Sequence, residues 1–544
     1  MFKRLITARQ TSILSAAFVI ASMVAASRIL GLIRNRLLTA RFTTEQLDPY
    51  WAAFRIPDFL FEILVAGAVS VAFIPVFTSY LSNNKKNEAF KIASSVINSA
   101  SLTVVIFSAI YLLFASSILR QIVPGFSEEE LKTAVSISRL LILFQVLPLV
   151  VGNFFTAILQ SYRQFLVPAL APVIYNIGTI IGIIILSPLF GIYGPVYGVL
   201  FGACLFFAIH VPLIWHVGYR HMFILNLRHR GVKEIGRLMI PRTISVSATQ
   251  LDFTVDTYLA SLLGGGSITI LTLARQLQII PVMLFGLPIA QAALPTFTDY
   301  IARGSIDRFK STLITSLHQI LFFVFPASAL LVVLKVPIVR LALGGEQFDW
   351  PDTVLTARSL AAFGVSLFAQ AIIVLLIRAF FALKDSKTPV VISVISVLLN
   401  SILSIVFIQV LKMPIWGLGI SASIATLLHA LALLILLDRK VGYFDRAHLI
   451  IPFIKISVTT LIMAVPLYVL MKLFDQLVFD TTRTIELVLL TITVSSIGLA
   501  TYLFFAWFFN IEEVVMFYKF AQKLTRFKDI LVEPSQEVGS QKMT

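Results

Sequence analysis

Apolar residues follow one another in long runs along nearly the whole chain, and short polar or Gly/Pro-rich segments separate these runs. A helix that crosses a bilayer needs about 20 mainly apolar residues. The pattern therefore predicts an all-α polytopic membrane protein with about fourteen transmembrane helices. The predicted spans are 11–36, 49–80, 89–118, 131–160, 166–188, 193–217, 235–262, 267–300, 309–341, 353–383, 389–411, 415–437, 449–473 and 484–510.

The composition agrees with a membrane protein. Of the 544 residues, 58% are hydrophobic and 13% are charged, whereas soluble domains have roughly 45–50% apolar and about 25% charged residues. Cys204 is the single cysteine, which excludes a disulfide-stapled secreted fold. We interpret the net charge of +16 as basic cytoplasmic loops, and we do not expect nucleic-acid binding.

The charges of successive loops alternate along the predicted topology. Lys85, Lys86 and the 220–233 segment lie on one side, whereas Glu128–Glu130 and Glu346 lie on the other. Because basic loops face the cytoplasm, this alternation predicts an even number of spans with both termini cytoplasmic. The basic and apolar residues of 511–544 predict an interfacial cytoplasmic helix and tail.

Short sequence matches recur at an almost constant offset. Arg55 stands twenty residues before Pro75, and Arg275 stands twenty residues before Pro295. The matches predict two parallel six-helix repeats, as in transporters whose substrate path runs between two lobes. The predicted division is an N-lobe at 1–217 (spans 1–6), a basic linker at 218–234, a C-lobe at 235–437 (spans 7–12), two additional helices at 438–510, and the tail at 511–544.

Charged residues also occur inside the spans, where an Arg, Lys or Asp at a helix centre costs about 2.5–3.5 kcal/mol. Such residues usually face a hydrated cavity or an ionic partner, and arginine suits forked contact with phosphate. Asp252 and Asp256, at i,i+4, form one acidic helix face and are candidates for ion coupling. We interpret Arg36, Arg41 and Arg242 as interfacial. The remaining candidates for a cationic chamber are Arg28, Arg34, Asp48, Arg55 and Arg275.

The sequence predicts no metal site and no use of nucleotide. The seven histidines are scattered without metal-ligand spacing, and no Walker-type Gly-x-x-x-x-Gly-Lys-Ser/Thr segment occurs. We therefore expect no cofactor and no catalytic residues.

Several motifs near the N-terminus resemble those of the MurJ (MviN) family of lipid II flippases. They are SRILGLIRN at 27–35, FRIPD at 54–58 preceded by Asp48, AGA at 66–68 and AFIP at 72–75. Further landmarks of the family follow in the same order. These are PGF at 124–126, Arg163-x-Phe165 with Pro168 and Ala171-Pro172, and KTP at 387–389.

The resemblance implies a fourteen-helix fold of the multidrug/oligosaccharidyl-lipid/polysaccharide exporter type in the bacterial cytoplasmic (inner) membrane. It also implies that Arg28, Arg34 and Asp48 occupy functionally important positions, and that Arg55 occupies a commonly basic one. The sequence departs from the family pattern at four places, which makes it a divergent member. In the second span, Phe61-Glu62 stands where the family often has a basic pair, and Ala66 stands where it has a Glu. In the eighth span, Arg275-Gln276 stands where an acidic residue followed by Arg is usual. At the end of the first motif, Asn35 replaces an Asp.

These features lead to the hypothesis of a transporter that flips lipid II from the inner to the outer leaflet by alternating access. Arg28, Arg34, Arg55 and Arg275 would hold the diphosphate, and Asp48 would orient or release an arginine. The membrane potential or an ion gradient would drive the movement. The alternatives are an exporter of another polyprenyl-linked glycan, an ion-coupled exporter on the same fold, and a membrane enzyme acting on polyprenyl phosphates.

Overall fold

The computed structural model describes residues 13–65 and 72–514, with side chains from Ser22 onward apart from that of Pro241. These residues form helices joined by short turns, and no strand occurs among them. Ala66 and residues 515–544 of the predicted tail lie outside the described residues. The first ten helices are α1 Ile13–Arg41, α2 Thr44–Ala53, α3 Arg55–Val65, α4 Ile74–Ser82, α5 Lys86–Ile122, α6 Glu128–Phe144, α7 Val146–Ser161, α8 Leu166–Ile181, α9 Ser187–Phe190 and α10 Tyr193–His216.

The remaining helices follow the linker. They are α11 Arg230–Ser261, α12 Ser267–Gln278, α13 Leu287–Ala302, α14 Ile306–Val333, α15 Lys335–Leu343, α16 Trp350–Gly364, α17 Leu367–Ala382, α18 Lys387–Ile405, α19 Trp416–Lys440, α20 Arg446–Leu477 and α21 Thr484–Phe508. Single π-helical segments occur at Gly182–Leu186, Val282–Gly286 and Val406–Val410.

Fewer helices than predicted are long and apolar enough to span a membrane. The described residues contain ten such helices, or eleven if α16 and α17, bent by 44°, form one span. The predicted count of fourteen is therefore not confirmed. The three predicted spans that fall short coincide with α1, with the broken stretch α2–α4 and with α11. The described side chains of α1 begin at Ser22 and include four arginines, and α11 contains three arginines and two aspartates. The stretch α2–α4 is divided into short pieces.

Helix starts coincide with the polar loops of the sequence. The Ser127 hydroxyl accepts a bond from the Glu130 N–H, and the Glu130 side chain accepts one from the Ser127 N–H, which is a capping box at the start of α6. Thr43 and Gln46 form a second capping box at α2. Asp349 caps α16 through the Asp352 N–H. These side chains satisfy the free N–H groups of the first helical turn.

Glycines bring α8 and α10 into close contact. A Cβ atom built at Gly178 would lie 2.5 Å from the Gly202 Cα, and one at Gly182 would lie 2.4 Å from the Gly198 Cα. No side chain fits at such distances. Small residues that let helix backbones approach are the usual device of helix packing in membranes, and here they join the two helices that close the first half of the chain.

The two halves of the chain meet at the end of the bundle that carries the Gly264–Gly266 turn, which we call the turn end. There the Thr44 hydroxyl donates to Asp352 at 2.9 Å, and the Thr39 hydroxyl donates to the Leu343 carbonyl at 2.6 Å. Helix α11 runs from the linker to this turn and packs on α18 as well as on α3 and α5. We call the opposite end, which carries the 218–229 segment, the linker end.

Candidate functional site

A small polar cavity lies between the halves, about halfway along α12. Its volume is about 220 Å³. Most of its wall comes from the first half of the chain, and Thr272 and Gln276 on α12 close it from the second half. The lining residues are Arg34, Tyr50, Trp51, Phe54, Arg55, Asp58, Gln145, Tyr175, Val199, Thr272 and Gln276.

Arg34 is fixed by two asparagines at one side of this cavity. Its Nη2 atom donates to the Asn35 Oδ1 atom at 3.0 Å, and its Nη1 atom donates to the Asn176 Oδ1 atom at 3.3 Å. The Asn35 amide in turn donates to the Gln276 Oε1 atom at 2.6 Å. Asn35 and Gln276, two of the residues that depart from the family pattern, thus bond to each other across the two halves.

Arg55 and Arg275 approach each other from the two halves around one aromatic ring. The Arg55 Cζ atom lies 6.0 Å from the centre of the Phe253 ring, and the Arg275 Cζ atom lies 4.9 Å from it. Arg275 also lies over Phe363, at 5.5 Å. A cation over an aromatic face within about 6 Å is attracted by the ring quadrupole. The ring therefore attracts both like charges.

The carboxylate of Asp256 is the ionic partner of Arg275. It is fully buried, and it also accepts a hydrogen bond from the Ser404 hydroxyl at 3.1 Å. One turn away, Asp252 accepts from the Asn400 amide at 2.9 Å. The predicted acidic face of α11 therefore points at α18. Among the described residues no group of three His, Cys, Asp or Glu side chains could hold a metal ion.

Asp48 lies at the turn end and not beside an arginine. Its Oδ1 atom accepts from the Thr269 N–H and from the Thr269 hydroxyl, both at 2.7 Å, and its side chain is buried. Thr269 is in the first turn of α12, where N–H groups lack partners within the helix and the helix dipole favours an anion. In this conformation Asp48 bonds to Thr269 and not to an arginine, and its proposed action on an arginine stays a prediction. Its carboxylate joins the two halves.

Arg28 lies outside the central cavity, in a neighbouring groove of about 360 Å³ between α1 and α8. Its side chain is exposed there, beside Gln160 and Phe165. Arg28 and Arg34 lie on the same helix, and Arg55 and Arg275 share the Phe253 ring. Of these four predicted residues, Arg34 and Arg55 line the central cavity.

Arg36 lies near the end of α1, and its interfacial position stays a prediction. Its Nη1 atom donates to the Leu341 carbonyl of the other half, so it contributes to the contact at the turn end. Arg242 is exposed on α11, and its interpretation as interfacial stays a prediction.

Sequence reasoning missed most of the polar groups of the cavity. Asp58 is in the quoted FRIPD motif but was not singled out, and Tyr50, Trp51 and Gln145 lie within apolar runs that gave no signal. The Trp51 Nε1 and Gln145 Oε1 atoms are buried without a hydrogen-bond partner among the described residues. Because such orphaned groups are costly, they mark positions where a polar substrate group would gain a bond.

The chain matches the family model described as "Lipid II flippase MurJ" over residues 39–489. The lipid II flippase MurJ of Burkholderia cenocepacia is 25% identical over 427 residues, which cover 77% of this chain and 82% of that protein. The probable lipid II flippase MurJ of Bdellovibrio bacteriovorus is 27% identical over 487 residues, which cover 89% and 92%.

Solved structures give the same result for the fold. A structure titled "Lipid II flippase MurJ, inward closed conformation" superposes with a TM-score of 0.76 and 28% identity, covering 91% of this chain and 99% of that one. An inward-facing multidrug resistance transporter of the MATE family superposes with a TM-score of 0.64 and 16% identity, covering 78% and 98%. At that identity the second likeness concerns the fold alone.

Proposed function

Because the chain belongs to the MurJ family of lipid II flippases, we propose that it moves lipid II from the inner to the outer leaflet of the bacterial cytoplasmic membrane. The observation that carries this proposal is the polar cavity between the halves, which Arg34 and Arg55 line. The relatives are named flippases, a transport activity, and the cavity offers hydrogen-bonding groups of the kind that a polar headgroup needs in hydrocarbon.

In this proposal the arginines hold the diphosphate. Arg34 and Arg55 stand in the cavity, Arg275 shares the Phe253 ring with Arg55, and Arg28 occupies the groove on the side away from the turn end. Each guanidinium can bind phosphate oxygens through two parallel N–H bonds. Arg28 would meet the diphosphate first, and the cavity pair would receive it as the halves rearrange.

The size of the cavity requires such a rearrangement. A drug-sized ligand occupies a pocket of roughly 300–1,000 Å³, and the disaccharide–pentapeptide headgroup of lipid II is larger than most drugs. A cavity of about 220 Å³ cannot contain it. We therefore assign the described conformation to a closed state of an alternating-access cycle. In the outward step the bonds of Asp48, Thr44 and Thr39 at the turn end would break.

The membrane potential can supply the driving force. Moving one charge through 100 mV is worth about 2.3 kcal/mol, so a dianionic diphosphate that leaves a negative interior gains roughly 4–5 kcal/mol. Coupling to an ion is the alternative source, and the Asp252–Asn400 and Asp256–Ser404 contacts form the part of the second half where a cation would be held. No nucleotide is required in either case.

The experiment that tests the proposal is a leaflet-accessibility assay. The purified protein is reconstituted into vesicles with fluorescent lipid II, and the fraction accessible to an impermeant quencher is followed with and without an imposed potential. We expect the wild-type protein to flip lipid II, and we expect an imposed potential to accelerate the flipping. If the protein moves a different polyprenyl diphosphate glycan but does not move lipid II, the result would favour the alternative substrate class.

Orientation is part of the proposal. The alternating loop charges favour a cytoplasmic linker end and an external turn end. In a Cys204→Ser background, cysteines replacing Lys86 and Arg439 should be labelled from the inside, and cysteines replacing Glu346 and Asp475 from the outside. A reversed pattern would contradict the direction of transport as well as the topology.

A further inference from the structure

An irregular segment at the linker end lies along the side of α5. This segment, Tyr219–Leu227, which we call the strap, connects α10 to α11 and has no helix or strand of its own. It is part of the predicted basic linker, but nothing in the proposed transport cycle uses it.

Side chains of α5 satisfy the backbone of the strap. The carbonyls of two strap residues both accept from one amide on α5, and two strap N–H groups donate to serines of the same helix. The bonds are Asn98 Nδ2 to the Met222 and Ile224 carbonyls, both at 2.8 Å, the Met222 N–H to the Ser94 hydroxyl at 3.1 Å, and the Asn226 N–H to the Ser95 hydroxyl at 3.3 Å. A non-helical segment at a membrane tolerates little unsatisfied backbone, so these bonds suit a position at the bilayer.

Three apolar side chains of the strap are exposed: Phe223 by 95%, Leu225 by 50% and Leu227 by 55%. Met222 and Ile224, on either side of Phe223, are half-buried. We call Phe223, Leu225 and Leu227 the outward row. Trp215, near the end of α10, is 73% exposed close to the same linker end. Tryptophan is enriched at membrane–water interfaces.

The depth of the strap follows from its contact with α5. The lipid-facing row of α5 begins at Leu102, which is 46% exposed, and continues through Val105 and Ile106. Asn98, which holds the strap, precedes Leu102 by four residues, or about 6 Å along the helix. The strap therefore lies where the hydrocarbon ends and the headgroups begin.

Cations flank the outward row. Arg220, Arg228 and Arg230 are exposed, and His229, which follows the strap, bonds to Glu88 on α5 at 3.0 Å. Basic residues next to a membrane attract anionic lipids with about 1 kcal/mol per residue, which is roughly a fivefold preference for each.

We propose that the strap is a binding surface for anionic phospholipids. Its row of Phe223, Leu225 and Leu227 inserts among acyl chains, and Arg220, with Arg228 and Arg230 directly after the strap, binds the phosphate headgroups of the same leaflet. This inference does not depend on the transported substrate. Because His229 and the contact of Gly231 with Ile92 fix the chain to α5 up to the start of α11, the bound lipids anchor the first half at the point where the second half begins.

Insertion of the strap is tested with single fluorophores. Cysteines replace Phe223, Leu225, Leu227 or Asn226 in a Cys204→Ser background, and the labelled proteins are placed in phosphatidylcholine vesicles with or without phosphatidylglycerol. Nitroxide-labelled lipid should quench the probes at 223, 225 and 227, whereas aqueous iodide should quench the matched probe at 226. If iodide quenches all four equally in both vesicles, the strap does not insert and the proposal is wrong.

The headgroup contact has its own test. The triple variant Arg220→Gln, Arg228→Gln, Arg230→Gln should retain less phosphatidylglycerol relative to phosphatidylcholine through purification, by roughly fivefold for each cation. The control is Arg303→Gln, Arg308→Gln, Arg439→Gln, which removes the same charge from other loops of the linker end and should change the ratio little. An equal loss in both variants would attribute lipid retention to total charge and would overturn the assignment to the strap.

Discussion

The contact between Asp48 and Thr269 gives a quantitative prediction for closure of the turn end. The carboxylate accepts two hydrogen bonds at 2.7 Å, one from the backbone and one from the hydroxyl of Thr269. Hydrogen bonds to charged groups contribute about 1.5–3 kcal/mol each. Asp48→Ala therefore weakens closure by at least about 3 kcal/mol, which raises the ratio of open to closed molecules about a hundredfold or more.

The assay is the rate at which an impermeant maleimide labels a cysteine in this contact region. Ser267 is 8% exposed at the start of α12, so Ser267→Cys in a Cys204→Ser background reports opening. Asp48→Ala should accelerate its labelling by the opening ratio. Thr269→Val keeps the backbone N–H but removes the hydroxyl, and therefore one of the two bonds. It should produce a smaller increase, about tenfold or somewhat more, because one such bond contributes at least about 1.5 kcal/mol.

Two outcomes would refute this reasoning. Labelling that Asp48→Ala leaves unchanged would mean that the carboxylate does not hold the halves together. If transport then fails while labelling stays slow, the original expectation that Asp48 acts on an arginine would be correct for another conformation. If Asp48→Ala and Thr269→Val accelerate the labelling equally, the free energy of this contact comes from the Thr269 hydroxyl alone.

Three further predictions concern the buried charges. Arg55→Ala should abolish lipid II flipping while membrane insertion stays normal. Arg55→Lys should retain part of the flipping, because lysine keeps the charge but lacks the planar guanidinium that binds two phosphate oxygens. Equal activity of the two variants in the leaflet-accessibility assay would contradict this prediction. Arg275→Ala leaves the Asp256 carboxylate buried without its ionic partner and should lower stability by about 3–5 kcal/mol, and adding Asp256→Asn should recover most of the melting temperature. Burial raises the pKa of Glu513, so its folded state binds a proton more readily than its unfolded state and loses stability as the pH rises. Glu513→Gln should therefore raise the melting temperature at pH 8, and the gain should vanish near pH 4, whereas exposed Glu512→Gln should have little effect at either pH.

The sequence predicts the class, the order of the helices and the family, because these depend on long apolar runs and on local motifs such as FRIPD at 54–58. Span counting is not confirmed where charges enter the spans. Asp252 and Asp256, the candidates for ion coupling, lie within the predicted span of α11 and make that helix less apolar. These two residues thus support the site prediction and weaken the topological one.

Partners could not be predicted, because they depend on how the halves meet. Asp48 and Thr269 are 221 residues apart in the chain, and Asn35 and Gln276 are 241 apart. Periodicity places each residue on a helix face but does not select the face of the other half that it meets. Trp51 and Gln145 were overlooked for a different reason: within an apolar run, nothing distinguishes a cavity-lining residue from one that faces lipid.

The glycine contacts between α8 and α10 have a consequence for inherited variation. At Gly178, Gly182, Gly198 and Gly202 even a methyl group would lie under 3 Å from backbone atoms of the opposite helix. These positions do not line the central cavity, yet a single-nucleotide change to alanine or serine would force the two backbones apart. A random screen for strains with defective transport should therefore recover two separate groups of alleles: substitutions of cavity arginines in protein present at normal abundance, and substitutions of these glycines in protein that is degraded before it can function.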